Sequence, residues 1–201
     1  MTGYTPSQAA AITGLPLSAV RKALDHAAIP SRLTREGRTT QRMLPLEALL
    51  CLRLEQLGVG SLPLAQRKRL YRSVLAQPAA DEWRESEAVV IRAGTARVSL
   101  NLEIEKLRRA EERVVRDPEI LSGTPVLKGT RIPVHLLAEM RRQGAPVEEI
   151  QESFPGISIE DLELAIFYAQ AHPRRGARPR TRLPHSAKLL LEERIQAADL
   201  R

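Results

Sequence analysis

The sequence predicts a mainly α-helical protein with small β-hairpins. Three observations carry that prediction. Hydrophobic residues make up 43% of the 201 residues but aromatics only 3%, so the core is built from Leu, Ile, Val and Ala, which favours packed helices over sheet. Proline and glycine cut the chain into short segments, and most of these space their apolar residues three and four apart. The apolar runs that lack this spacing are short and flank polar, glycine-containing turns, as hairpin strands do.

The elements follow in order. Thr5 is an N-cap, Pro6 suits a first helical turn and Gln8 completes a capping box. Ala9, Ala10 and Ile12 then form a short helix that stops at Gly14. After the turn Leu15-Pro16-Leu17, Ser18 caps a second helix from Ala19 to about Ala28, with Val20, Leu24 and Ala27 at helical spacing and Pro30 beyond its end. Two short helices about a glycine-containing turn fit a helix-turn-helix. Residues 31–34 and 40–44 read as strands, and Arg35 to Thr39 as the polar turn of a small wing. Pro45 opens a third helix to about Leu57, in which Leu46, Leu49, Leu50, Arg53 and Leu57 are spaced to pack one face on the first two. A winged helix-turn-helix over residues 1–60 is the result.

Residues 61–115 read as a connector. Pro63 to Gln77 is helical, Ala88 to Arg92 and Ala96 to Leu100 are a strand and its return, and Leu102 to Arg113 is a helix around Ile104 and Leu107. Residues 116–172 form a small helical domain. It opens on a glycine-punctuated hairpin, Gly123 to Val134, followed by helices at about His135–Gln143, Pro146–Ser153 and Ser158–Ala171. Ser158 caps the last, and Glu160 and Asp161 meet its positive end. Residues 173–201 form a basic tail, broken by Pro and Gly over Arg174 to Arg182 and ending in an amphipathic helix from Ser186 to about Ala198.

Charge is unevenly placed. The net charge is +7. Residues 1–45 hold six basic and two acidic side chains, 116–172 five and nine, and 173–201 eight and three. Basic ends attract polyanions or acidic protein surfaces, and two such ends predict two separate partners. The one cysteine, Cys51, lies in an apolar run and reads as a buried thiol in a reducing, cytoplasmic compartment. Met1-Thr2-Gly3-Tyr4 has neither basic flank nor apolar run, which predicts no secretory signal, and no apolar stretch has the length to span a bilayer.

Catalytic chemistry finds little support. His26, His135, His172 and His185 share no metal-ligand spacing, and one cysteine cannot build a zinc site. Gly123 to Thr130 imitates a phosphate loop but separates its glycines by five residues and places Lys128 before Gly129, so it reads as a structural hairpin. No enzyme, metal or cofactor is expected. Nucleic-acid binding is the better reading. The second helix carries Ser18, Arg21 and Lys22 near its N-terminus, the end that meets base edges in a major groove. The wing adds Arg32, Arg35, Arg38, Thr39, Thr40 and Arg42, suited to phosphate or minor-groove contact.

Two resemblances extend this reading. The order helix, helix, wing, helix, and the run Leu15 to Leu24, resemble the winged helices of MerR-type activators and excisionases. Asp117 to Val134 closely resembles the signature of domain-of-unknown-function family 433, and Gly144, Pro146 to Ile150, Phe154-Pro155 and Asp161 to Ala165 continue the pattern. Ala145 departs from it, where a Ser or Thr cap is expected; the loss is worth about 1 kcal/mol. The resemblance implies a VapB-type antitoxin that represses its own operon, whose partners are operator DNA and a PIN-like ribonuclease toxin, in a homodimer and a toxin–antitoxin hetero-oligomer away from the membrane. It also implies the tail's role. Arg174, Arg175, Arg178, Arg180 and Arg182 are candidates to enter the nuclease's carboxylate cluster, and Leu190, Leu191 and Ile195 to anchor a helix in an apolar groove. A stand-alone MerR-like transcriptional regulator is the alternative.

Overall fold

The computed structural model describes residues 3–26, 29–36, 39–87 and 89–174. Among them are eight α-helices and three antiparallel two-stranded sheets. Helix α1 spans Pro6–Thr13 and starts on the expected capping box: Gln8 N–H donates to Thr5 Oγ1, and Thr5 N–H donates to Gln8 Oε1. It ends at Gly14, whose φ of 74° lets its N–H reach the Ala10 carbonyl. Helix α2 spans Leu17–His26. Ser18 therefore lies in its first turn, not at the cap expected from the sequence. Pro16 precedes the helix, and its carbonyl accepts from Val20 N–H.

Strands β1 (Arg32–Glu36) and β2 (Thr39–Met43) pair from Arg32↔Met43 to Glu36↔Thr39. Helix α3 (Leu46–Gln56) differs from its predicted stripe. Leu46 and Leu57 are about half exposed, whereas Ala48, Leu49, Leu50, Cys51, Leu52 and Leu54 are all buried. One apolar face cannot hold six nearly consecutive residues. The reason is position: α3 packs on α1, on α4 (Leu64–Ala76) and on α5 (Gly94–Glu112).

The connector corrects a second expectation. Ala96 to Leu100 is not a returning strand but the start of α5, with Ala96, Leu100, Leu107 and Ala110 buried at helical spacing and Val98 outward. The alternation Ala96, Val98, Leu100 fits strand and helix alike, because i and i+4 share a helix face. The partner of β4 (Val90–Arg92) is instead upstream, in β3 (Glu82–Arg84), around buried Trp83.

Strand β5 (Val114–Val115) pairs with β6 (Val126–Leu127), and β6 folds back through Leu127 N–H to the Ile132 carbonyl, giving the tight turn predicted there. Helices α6 (Val134–Arg142), α7 (Val147–Ser153) and α8 (Ile159–Ala171) follow. Ser158 caps α8 by accepting from Asp161 N–H at 3.0 Å. The cap position of α7 is Pro146 rather than Ala145, so the cost assigned to Ala145 does not arise. Helix α8 buries seven of its thirteen residues, because α1, α5 and α6 all pack on it. Buried residues from both ends of the described chain join one hydrophobic core, from Ile12 and Leu49 to Leu164 and Tyr168. None of the described helices is long and apolar enough to cross a membrane.

Candidate nucleic-acid interface

Helix α2 has two unlike faces. Val20, Ala23 and Leu24 are buried, while Ser18, Arg21, Lys22 and Asp25 are exposed. The exposed set lies three and four apart, so it forms one outward stripe along the helix. Hairpin β1–β2 adds a second surface. Leu33 faces Arg42 across the ladder and Arg35 faces Thr40, and residues paired across antiparallel strands share a face. Those four side chains therefore stand together. Arg42 then joins the two surfaces: its Nη1 donates to Asp25 Oδ1 at 2.8 Å. The bond ties the hairpin face to the last turn of the α2 stripe and holds the Asp25 carboxyl below its ordinary range.

Arg53 holds the turn between α1 and α2 in place. Its Nη1 donates to the Thr13 carbonyl at 3.0 Å and its Nε to Ser99 Oγ at 3.0 Å. It thus satisfies a carbonyl in the last turn of α1 and puts positive charge at the negative end of that helix. The sequence placed Arg53 on an apolar stripe, and nothing in its spacing signals a capping role.

The candidate residues are disposed as follows. Ser18, Arg21, Lys22, Arg32, Arg35 and Thr40 are exposed, and Arg42 is half-exposed and paired. Thr39 pairs through its backbone with Glu36; Arg38 lies outside the described residues. Arg174 is exposed just past α8. Arg175, Arg178, Arg180, Arg182, Leu190, Leu191 and Ile195 lie outside the described residues.

The surface of α7 and α8 contrasts with the N-terminal one. Glu148, Glu149 and Glu152 of α7 and Glu160 and Glu163 of α8 are exposed. Arg113 grips Asp161 with two bonds, Nε at 2.7 Å and Nη2 at 2.8 Å, and Arg109 pairs with Glu160. A junction that the sequence did not signal links the ends. Glu111 Oε1 accepts from Gln8 Nε2 at 3.2 Å and meets His172 Nε2 at 3.0 Å. His172 stacks on Tyr168, whose hydroxyl accepts from Arg116 Nε. Nearby His135 is held down to about 4 by burial, and then by the positive charge of Arg174 and Arg116. Among the described residues no group of three or more His, Cys, Asp or Glu is placed to hold a metal ion.

The family comparison bears on the C-terminal half. Residues 114–169 match the family described as protein of unknown function (DUF433), so a DUF433 domain is present there. It begins at β5, three residues before the motif that marks it in the sequence, because Val114 and Val115 supply the strand that β6 pairs with. An uncharacterized protein, y4eO, of Sinorhizobium fredii (strain NBRC 101917 / NGR234) is 43% identical over 75 residues, 37% of this chain. The match spans 34% of that relative's length. No solved structure matches.

Proposed function

We propose that the chain is a non-enzymatic DNA-binding antitoxin of a type II toxin–antitoxin pair, which represses its own operon and neutralises a PIN-like ribonuclease. The observation that carries the DNA half is the union of two exposed surfaces by the Arg42–Asp25 bond. In this reading α1, α2, β1–β2 and α3 form a winged helix-turn-helix. The α2 stripe enters a major groove with Ser18, Arg21 and Lys22 at base edges. Arg32, Arg35 and the hairpin threonines lie on phosphates. The toxin half is supported by the resemblance of residues 117–171 to family 433, whose domains recur in VapB-type antitoxins, and by the arginines from Arg174 to Arg182. An arginine in a nuclease's carboxylate cluster competes with its metal and with RNA phosphate.

Two experiments separate the halves. Charge reversal at Arg21 and Lys22 abolishes a footprint on the chain's own promoter and leaves the circular dichroism spectrum unchanged; a retained footprint refutes the α2 assignment. Deleting residues 173–201 keeps the footprint and loses neutralisation. A truncated chain that still rescues growth against the neighbouring nuclease rules out the tail mechanism. A gene neighbourhood without any nuclease favours the stand-alone MerR-like regulator.

A further inference from the structure

Leu33 is 73% exposed, the most exposed large apolar side chain among the described residues. It does not stand on a neutral surface. It shares its face of the hairpin with Arg35, Thr40 and Arg42, and Arg42 bonds to Asp25 at the end of the α2 stripe that carries Arg21 and Lys22. Arg32 precedes it on the strand and projects from the opposite face. An apolar group left in water gains by being covered, and what covers this one must also accept the cations around it. A basic or plainly apolar protein surface fails that requirement. Duplex DNA meets it: phosphates line the groove edges, and deoxyribose and base faces inside the groove are apolar.

We infer that Leu33 is a minor-groove wedge, which enters between base steps and kinks the duplex while the arginines beside it take the flanking phosphates. This rests on the proposed DNA-binding reading. With α2 in a major groove, the hairpin beside it reaches the adjoining minor groove. Its apolar side chain there meets A·T steps more readily than G·C steps, whose guanine amino group projects into that groove. Leu33 thereby adds a specificity determinant that the basic residues alone do not provide.

The test uses the full chain and a 30-base-pair duplex pool with a randomised centre, enriched on the wild-type protein. Affinity is read by fluorescence anisotropy and bending by energy transfer between the duplex ends. Leu33→Ala lowers affinity for the enriched duplex about tenfold and reduces the bend, with an unchanged salt slope, and Leu33→Met restores most of both. The side chain is exposed, so folding is not at risk, and the circular dichroism spectrum checks this. Replacing A·T pairs at the contacted step by inosine·cytosine, which keeps the minor-groove face and alters the major one, preserves binding; G·C pairs weaken it. Wild-type affinity and bend in Leu33→Ala, while charge reversal at Arg21 and Lys22 still abolishes binding, overturn the wedge alone. Equal loss with inosine·cytosine and G·C pairs puts the contact in the major groove and also overturns it. A change in oligomeric state on Leu33→Ala assigns the leucine to a protein contact instead. If the wild type enriches no duplex at all, the DNA-binding reading falls and the wedge falls with it.

Discussion

Replacing Arg53 tests how the outward stripe of α2 is held. Two bonds leave its guanidinium, to the Thr13 carbonyl and to Ser99 Oγ. The carbonyl belongs to the last turn of α1 and lacks a helical partner downstream. Methionine at this position keeps the apolar stem and the volume but removes both bonds. A hydrogen bond from a charged donor contributes about 1.5–3 kcal/mol, and the half-buried setting puts each here near the lower bound. Arg53→Met therefore costs about 3 kcal/mol, a large share of a typical domain's 5–15 kcal/mol. Urea unfolding followed by far-ultraviolet circular dichroism reads this as a lower midpoint at constant slope. Arg53→Lys recovers less than half, because one ammonium cannot serve both acceptors in the fork geometry. A cycle with Ser99→Ala isolates the second bond. Loss of under 0.5 kcal/mol in Arg53→Met, or full recovery in Arg53→Lys, refutes the clamp.

Three further outcomes are expected. Burial pushes the Cys51 thiol up to about 12, so a thiol reagent at pH 8 leaves the native protein unmodified and labels it in denaturant; labelling of the native state at the rate of a free thiol contradicts the packing. His135 is held at about 4 in the fold against about 6.5 unfolded, so its contribution is present above pH 6.5 and is lost as pH falls from 6.5 towards 4, when the unfolded chain binds the extra proton. With solvent screening discounted, wild type loses about 1 kcal/mol more than His135→Asn across that window, measured by urea unfolding at each pH, and parallel curves for the two proteins defeat the assignment. Leu121 and Ser122 hold φ of 48° and 53°, a conformation costing roughly 1 kcal/mol or more for a residue with a Cβ. Ser122→Gly therefore raises the melting temperature by a few degrees, and a lower one shows that the turn carries no such strain.

Much of this fold was legible in the sequence, because local signals and tertiary packing agree. Thr5 with Gln8, Gly14 and Ser158 mark helix ends by hydrogen bonds that close within a few residues, and the structure has each of them. The caps expected at Ser18 and Ala145 are displaced, because Pro16 and Pro146 directly precede those helices; the larger failures depend on neighbours distant in sequence. The α3 spacing predicts one stripe if only α1 and α2 cover it, whereas α4 and α5 pack on it as well. Ala96 to Leu100 alternates, and only the core beneath Ala96 and Leu100 makes it helix. The candidate interface was legible as residue types but not as geometry. That Arg42 is spent partly on Asp25, and that Leu33 rather than another cation stands beside it, follow from strand register, which a two-strand pattern does not fix.

The N-terminal helices and the DUF433 domain are not beads on a string. Helix α1 lies on α8 and α5 as well as on α2 and α3, and Ile12 on its buried side belongs to the same core as Leu164. Gln8, which closes the α1 cap, also bonds to Glu111, and Glu111 meets His172 at the end of α8. Arg174, the last described residue, lies two positions beyond His172. Whatever grips the chain beyond Arg174 therefore pulls on a residue one side chain away from the helix that positions α2. In the proposed antitoxin, the helix beside α2 and the helix that precedes the tail in sequence share one core. Their coupling then needs no long pathway: α1 and Glu111 are in contact with both ends.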